Sequence, residues 1–159
     1  MTGGVATEVR TPSARGGFHT LRVAGVERLC ADAVAVTFDV PAELTDTYRF
    51  RPGQYLTLRL PVDGREERRS YSICAPAGAA PRIGVRRVDT GLFSEWLVDR
   101  LQAGAEIEVA PPAGSFTPPL EPGTHHGLIA AGSGITPVLS IAASVLAAHP
   151  DTTVTLLYG

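Results

Sequence analysis

Along the first two thirds of the chain, hydrophobic and polar residues alternate with a period of two. Val34, Val36, Phe38 and Val40 fall on one side of a strand, and Ala33, Ala35, Thr37 and Asp39 on the other. Tyr55 to Leu60 alternates in the same way. Leu21, Val23 and Val26 open an earlier stretch with strand character, and Arg68–Ala75, Arg82–Val88 and Glu106–Ala110 are further candidates. Turn signals separate them: Arg51-Pro52-Gly53, Pro61-Val62-Asp63-Gly64, Ala75-Pro76-Ala77-Gly78 and Pro111-Pro112-Ala113-Gly114. Short strands divided by Pro and Gly predict an antiparallel barrel or sandwich. One helix interrupts them. Ser94 is its expected N-cap, Phe93, Trp96, Leu97 and Leu101 its apolar stripe, with Trp96 as core anchor, and Gly104 its stop.

After about Pro122 the pattern changes. Leu128-Ile129-Ala130-Ala131 reads as a buried parallel strand. Gly132-Ser133-Gly134 follows, then Thr136 as a cap and Pro137 as the first helical residue. Val138, Leu139, Ile141, Ala142, Val145 and Leu146 keep helical spacing until His149-Pro150-Asp151, and Val154–Tyr158 is a second strand. That is a βαβ unit. The expected organisation is a disordered tail over 1–17, a barrel over 18–121, and the start of an α/β domain over 122–159. Two parallel strands and one helix do not complete a doubly wound sheet, so the chain is expected to be the N-terminal part of a longer protein.

Composition narrows the chemistry. At 44% hydrophobic and 19% charged residues the chain is globular rather than disordered. A net charge of -2 argues against a nucleic-acid or membrane surface. All 14 basic residues are Arg, with no Lys and no Asn, which excludes a Schiff-base lysine, a P-loop lysine and N-glycosylation within this sequence. Cys30 and Cys74 alone make no disulfide scaffold, zinc site or iron–sulfur cluster. With no apolar segment after Met1 and no run long enough to span a bilayer, a cytoplasmic protein is expected.

Three short constellations can carry chemistry. In Arg69-Ser70-Tyr71-Ser72, alternation puts Arg69 and Tyr71 on one strand face and Ser70 and Ser72 on the other. A guanidinium grips phosphate oxygens bidentately, and an aromatic ring offers a stacking platform. Alone, the same tetrapeptide reads equally as a barrel strand with one exposed Arg and one half-buried Tyr. Gly91-Leu92-Phe93-Ser94 opens the internal helix, whose free N–H groups and positive dipole suit a pyrophosphate. Gly132-Ser133-Gly134-Ile135-Thr136-Pro137 lies between a strand and a helix, as a dinucleotide-binding loop does, but Pro137 falls before the usual third glycine.

Taken together, in this order and spacing, these motifs resemble the ferredoxin–NADP reductase superfamily. Arg51-Pro52-Gly53-Gln54-Tyr55 and Pro112-Ala113-Gly114-Ser115-Phe116 agree, and the resemblance runs from about Phe18 to Gly159. It implies a six-stranded Greek-key antiparallel barrel that binds flavin, followed by the first βαβ unit of a pyridine-nucleotide domain. Within the superfamily, Arg68-Arg69-Ser70-Tyr71-Ser72-Ile73-Cys74 is most similar to the reductases of phenylacetyl-CoA epoxidase complexes. The resemblance implies roles residue by residue. Arg69 and Ser70 bind the flavin, with Arg69 on the phosphates. Tyr71 stacks on the ring and Ser72 sits at N5. Arg86, Arg87 and Val88 line the diphosphate and adenosine side, and Gly91, Leu92, Phe93 and Ser94 cover the pyrophosphate. Gly132, Gly134 and Thr136 border the space between flavin and nicotinamide, which makes Ser72 and Thr136 the residues closest to the reaction. The implied cofactor is FAD, reduced by NADPH or NADH, with an iron–sulfur protein or oxygenase as electron acceptor. The related 2Fe-2S domain is expected only in a longer parent chain.

Other readings compete. A flavin-binding module without turnover keeps the same motifs, and an OB-like binding barrel would account for the arginines. Only 6% aromatic residues and the terminal βαβ unit weigh against the latter. Ser133 lacks the glycine two residues before it that a hydrolase elbow needs, and the adjacent His125 and His126 cannot face one metal from a single strand face.

Overall fold

The computed structural model describes residues 17–62 and 64–159. The tail expected over 1–17 therefore lies, Gly17 apart, outside the described residues. Six strands carry the first part of the chain: β1 His19–Cys30, β2 Ala33–Asp39, β3 Tyr55–Val62, β4 Arg65–Ser72, β5 Arg82–Arg86 and β6 Glu106–Val109. They pair antiparallel in the order β4-β3-β6-β1-β2-β5. An antiparallel bridge between Ile73 and Ile83, with Cys74 N–H donating to the Arg82 carbonyl at 2.8 Å, brings β5 back to β4 and closes the ring.

The alternation seen in the sequence is the inside–outside alternation of this barrel. Leu21, Val23, Val36, Phe38, Leu56 and Leu58 all point inward and are fully buried. Helix α1, Leu92–Asp99, packs Phe93 and Leu97 into the same core. Trp96, the expected anchor, is only half-buried on the flank of that core. The helix also begins earlier than expected. Gly91 is its N-cap, and Ser94 is its third residue. The Ser94 hydroxyl turns back, accepting from Val88 N–H at 3.0 Å and donating to the Gly91 carbonyl at 2.9 Å. Strand β5 ends two residues early for a related reason. Arg87 N–H goes to the Asp32 carbonyl and Val88 N–H to Ser94, so neither is left for the ladder.

The remainder is a parallel pair, β7 His125–Ala130 and β8 Thr153–Tyr158, joined through a 3-10 turn at Gly132–Gly134 and helix α2, Ile135–Ala148. Thr136 is not the cap of α2 but its second residue, and its hydroxyl donates back to the Ser133 carbonyl at 2.9 Å. Pro137 is third, where its missing N–H still falls among the helix's unpaired donors. Strand β7 is parallel, as expected, but not buried on both faces. His126, Leu128 and Ala130 lie on its covered side, whereas Ile129 is 80% exposed and Leu157 on β8 is 59% exposed. No helix of the described residues is long and apolar enough to cross a membrane.

Candidate functional site

Register places the residues of β4. Leu58 is paired with Arg69 and Leu56 with Tyr71, so both side chains issue from the face that carries the core leucines. At this end of the barrel that face is capped by α1. Tyr71 lies half-buried with its ring 6.2 Å from Phe93 at an interplanar angle of 31°. Burial pushes the Tyr71 phenol up to about 12, against the opposing positive charge of Arg69, so it stays protonated and neutral at physiological pH. Arg69 remains 55% exposed at its side chain. Its guanidinium contacts Glu67 Oε2 at 2.9 Å and the Arg68 carbonyl at 2.7 Å. Ser70 lies on the opposite face, 2.9 Å from the Thr57 hydroxyl, and Ser72 pairs with Tyr55 at the end of the strand.

The loop from Arg86 to Ser94 is held from below. The Arg86 guanidinium bonds Asp32 Oδ2 at 2.7 Å, and Arg87 is paired with Asp99. The Cys30 thiol and then Arg86 hold the Asp32 carboxyl below its usual value. With both guanidiniums committed to carboxylates, this stretch offers a ligand chiefly backbone and the exposed Val88 side chain. Gly91 N–H returns to the Val88 carbonyl at 2.8 Å, closing a tight turn in which Thr90 adopts φ 63°. A β-branched residue in that region is strained, and the Ser94 hydroxyl is what fastens the turn. Replacing Ser94 with alanine leaves the Val88 N–H without its partner in a partly buried turn. We expect this to cost about 1–3 kcal/mol of stability, read from the denaturant midpoint. An unchanged midpoint would show that the turn holds without its hydroxyl.

A second cluster forms where the two parts of the chain meet. The γ-methyl of Thr136 lies 2.9 Å from where a Cβ of Gly84 would stand, so this strand position has room only for glycine unless Thr136 moves. One step along the Ile73–Ile83 register, Gly84 faces Ser72. Thr136 and Ser72 thus flank the same glycine. Gly132 and Gly134 lie in the turn just before α2, where the Gly132 carbonyl accepts from the Tyr158 hydroxyl at 3.2 Å. Sequence reasoning missed two residues of this seam. The Ser140 hydroxyl donates to the Ala75 carbonyl at 2.6 Å, and Ala77 N–H donates to the Ser144 hydroxyl at 2.9 Å. Hydroxyls four residues apart in an otherwise apolar helix were the available signal.

The donor set fits a flavin dinucleotide. An exposed guanidinium, the N-terminal N–H groups of α1 and a strained backbone turn lie around one aromatic ring, which suits a pyrophosphate attached to a planar heterocycle. No group of three or more His, Cys, Asp or Glu able to hold a metal occurs among the described residues.

Known proteins agree with this chemistry. Residues 20–117 match the family model described as oxidoreductase FAD-binding domain. A component of the 1,2-phenylacetyl-CoA epoxidase of Escherichia coli is 44% identical over 145 residues, covering 89% of this chain and 41% of its own length. The ferredoxin reductase component of 3-ketosteroid-9-alpha-monooxygenase from Rhodococcus rhodochrous is also 44% identical, over 79% of this chain and 36% of its length. The flavohaem-like FAD/NAD-binding domain of a Vibrio cholerae nitric oxide dioxygenase superposes with a TM-score of 0.76 at 29% identity, covering 91% of this chain and 62% of that one. Phthalate dioxygenase reductase, described as transferring electrons from pyridine nucleotides to [2Fe-2S], gives a TM-score of 0.74 at 28% identity, over 89% of this chain and 43% of that one. The chain spans about two fifths of the length of the curated relatives it matches. It belongs to the FAD-binding oxidoreductases of the ferredoxin–NADP reductase superfamily.

Proposed function

We propose that this chain forms the flavin-binding part of a reductase that takes electrons from NADH or NADPH and passes them to an iron–sulfur or oxygenase partner. The observation that carries the reading is the convergence of Arg69, Tyr71 and the start of α1 at one end of the barrel. In this reading Arg69 binds the flavin phosphates and Tyr71 supports the ring. The backbone of Arg86–Val88 and Gly91–Ser94 cradles the diphosphate, with Ser70 bracing the strand. Ser72 offers a hydrogen bond at the ring edge. Gly132, Gly134 and Thr136 border the nicotinamide, with Thr136 seated against Gly84 beside Ser72. FAD, when bound, supplies the conversion between two-electron hydride uptake and single-electron release. No side-chain acid or nucleophile is required of the protein.

The finer assignment is to the reductase of a phenylacetyl-CoA epoxidase, supported by the 44% identical epoxidase component of Escherichia coli. A 2Fe-2S cluster would have to be held outside this sequence, since Cys30 and Cys74 are its only cysteines. One second reading keeps the same Arg69, Tyr71 and α1 site but makes it a flavin carrier without turnover. A single experiment separates the two. The purified chain is mixed with FAD, its visible spectrum is recorded, and NADH or NADPH is added with an artificial electron acceptor. Bound flavin that bleaches and re-oxidises with turnover supports the reductase. Bound flavin indifferent to both nucleotides supports the carrier, and no uptake of flavin refutes both.

A further inference from the structure

Helix α2 carries three hydroxyl residues at four-residue spacing, Thr136, Ser140 and Ser144, among apolar neighbours. Residues spaced by four lie along one face of a helix. Each of the three meets the barrel. Thr136 touches Gly84, Ser140 bonds the Ala75 carbonyl, and Ser144 receives the Ala77 N–H. Ser140 and Ser144 are almost wholly buried, at 0% and 4% exposure.

The bonds form a directed chain. Ala77 N–H donates to the Ser144 hydroxyl, and Ser144 in turn donates to the Ser140 carbonyl at 2.6 Å. With its proton engaged there, Ser144 can only accept from Ala77, so the orientation is fixed. Apolar side chains would bury more favourably at both positions, but apolar contact has no direction and allows sliding. One buried and one partly buried hydrogen bond set one register. The segment they grip, Ala75–Ala77, lies three to five residues past Ser72. Ser140 lies one helical turn, about 6 Å, beyond Thr136. A rigid rod therefore runs from the glycine loop to the bonds, and a short extended segment runs from the bonds to the flavin strand.

We propose that Ser140 and Ser144 are positioning residues for hydride transfer, whose bonds to Ala75 and Ala77 fix the Gly132–Thr136 loop against the strand end at Ser72. The proposal rests on the reading of Ser72 and Thr136 given above. It assigns the two serines the distance between flavin and nicotinamide rather than any contact with either. Misplacement of reacting atoms by about 1 Å can slow a reaction by about 100-fold.

The test compares Ser140→Ala, Ser144→Ala and Ser140→Thr with the unaltered chain. Flavin affinity is expected to be unchanged in all, because Arg69, Tyr71 and the start of α1 are untouched. Bleaching of bound flavin by the reduced nucleotide is expected to slow about 10- to 100-fold in both alanine variants, with little change in nucleotide KM. The long-wavelength charge-transfer absorbance should weaken with it. Ser140→Thr keeps the hydroxyl and is expected to recover most of the rate. Amide exchange at Ala77 and Gly134 should quicken in the alanine variants while the barrel amides of Leu56 and Ile107 stay protected. Bleaching rates and exchange both equal to the unaltered chain would overturn the proposal. So would a rate loss that tracks lost flavin affinity or is not rescued by threonine. A chain that holds FAD but is bleached by neither nucleotide sinks the turnover reading, and the positioning claim with it. Exchange at Gly134 then reports whether the serines hold the loop at all.

Discussion

Replacing Gly53 with alanine is expected to destabilise the protein by about 3 kcal/mol or more, a large loss for one added methyl group. Gly53 adopts φ 94°, in the left-handed region where a side chain is disfavoured. Strain is the smaller part. A Cβ there would stand 1.8 Å from the Phe116 carbonyl oxygen and 2.9 Å from its carbon. A carbonyl cannot swing aside as a flexible side chain can. It is also anchored, because Tyr55 and Ala113 exchange backbone bonds of 2.9 and 3.0 Å just before it. Either the Arg51–Gln54 turn opens or the Gly114–Phe116 segment is pushed off the barrel. Gly78 is the control. Its φ is 84°, but nothing lies within 4 Å of the added carbon. Gly78→Ala should lose only the conformational term, about 1–2 kcal/mol. Denaturant midpoints for the two variants measure the difference, and equal losses would show that the clash relaxes freely.

Replacing Arg69 with alanine is expected to weaken FAD binding about 10- to 100-fold while leaving the melting temperature unchanged. A charge-assisted bond to phosphate contributes about 1.5–3 kcal/mol, and each 1.4 kcal/mol is a factor of ten. The fold should not notice, because the side chain is 55% exposed and its link to Glu67 is a surface ion pair. Arg69→Lys should recover only part of the affinity, since an ammonium lacks the planar fork. Tyr71→Ala behaves differently. It removes a half-buried ring that leans on Phe93, so affinity and stability should fall together. Titrations of flavin fluorescence, alongside thermal melts, separate the two patterns. An Arg69→Ala variant that binds FAD as tightly as the unaltered chain would remove the phosphate from β4.

What was legible in the sequence was what repeats at short range. Strands β2 and β3 were visible because a barrel wall has a core side and a water side, and the chain must alternate to serve both. The ends of elements were not visible, because partners distant in sequence decide them. Strand β5 stops where Asp32 claims the Arg87 N–H. Ser94 and Thr136 look like caps because a hydroxyl before a helical run usually is one. Here each sits inside its helix and reaches back to the preceding turn. The apolar run of β7 announced a preference for burial, not what covers it, and Ile129 remains uncovered. Ser140 and Ser144 could be seen as odd residues in an apolar helix. Their partners lie 65 and 67 residues away, and only the folded chain brings them together.

The barrel closes unevenly. The β1–β2 and β3–β4 contacts are ladders of seven and eight paired residues and β3–β6 has two, while β4 and β5 meet through the single Ile73–Ile83 bridge, to which the Cys74–Arg82 amide bond belongs. A cylinder is weakest at its thinnest joint, and local opening is expected there before the long ladders yield. Ser72 lies on one lip of that joint and Gly84 on the other. The hydroxyl side of α2 rests across both, through Ala75 and Gly84. The helix is therefore a clasp on the joint. Breathing of the barrel and slippage of the glycine loop become a single coordinate, so whatever tightens one quiets the other.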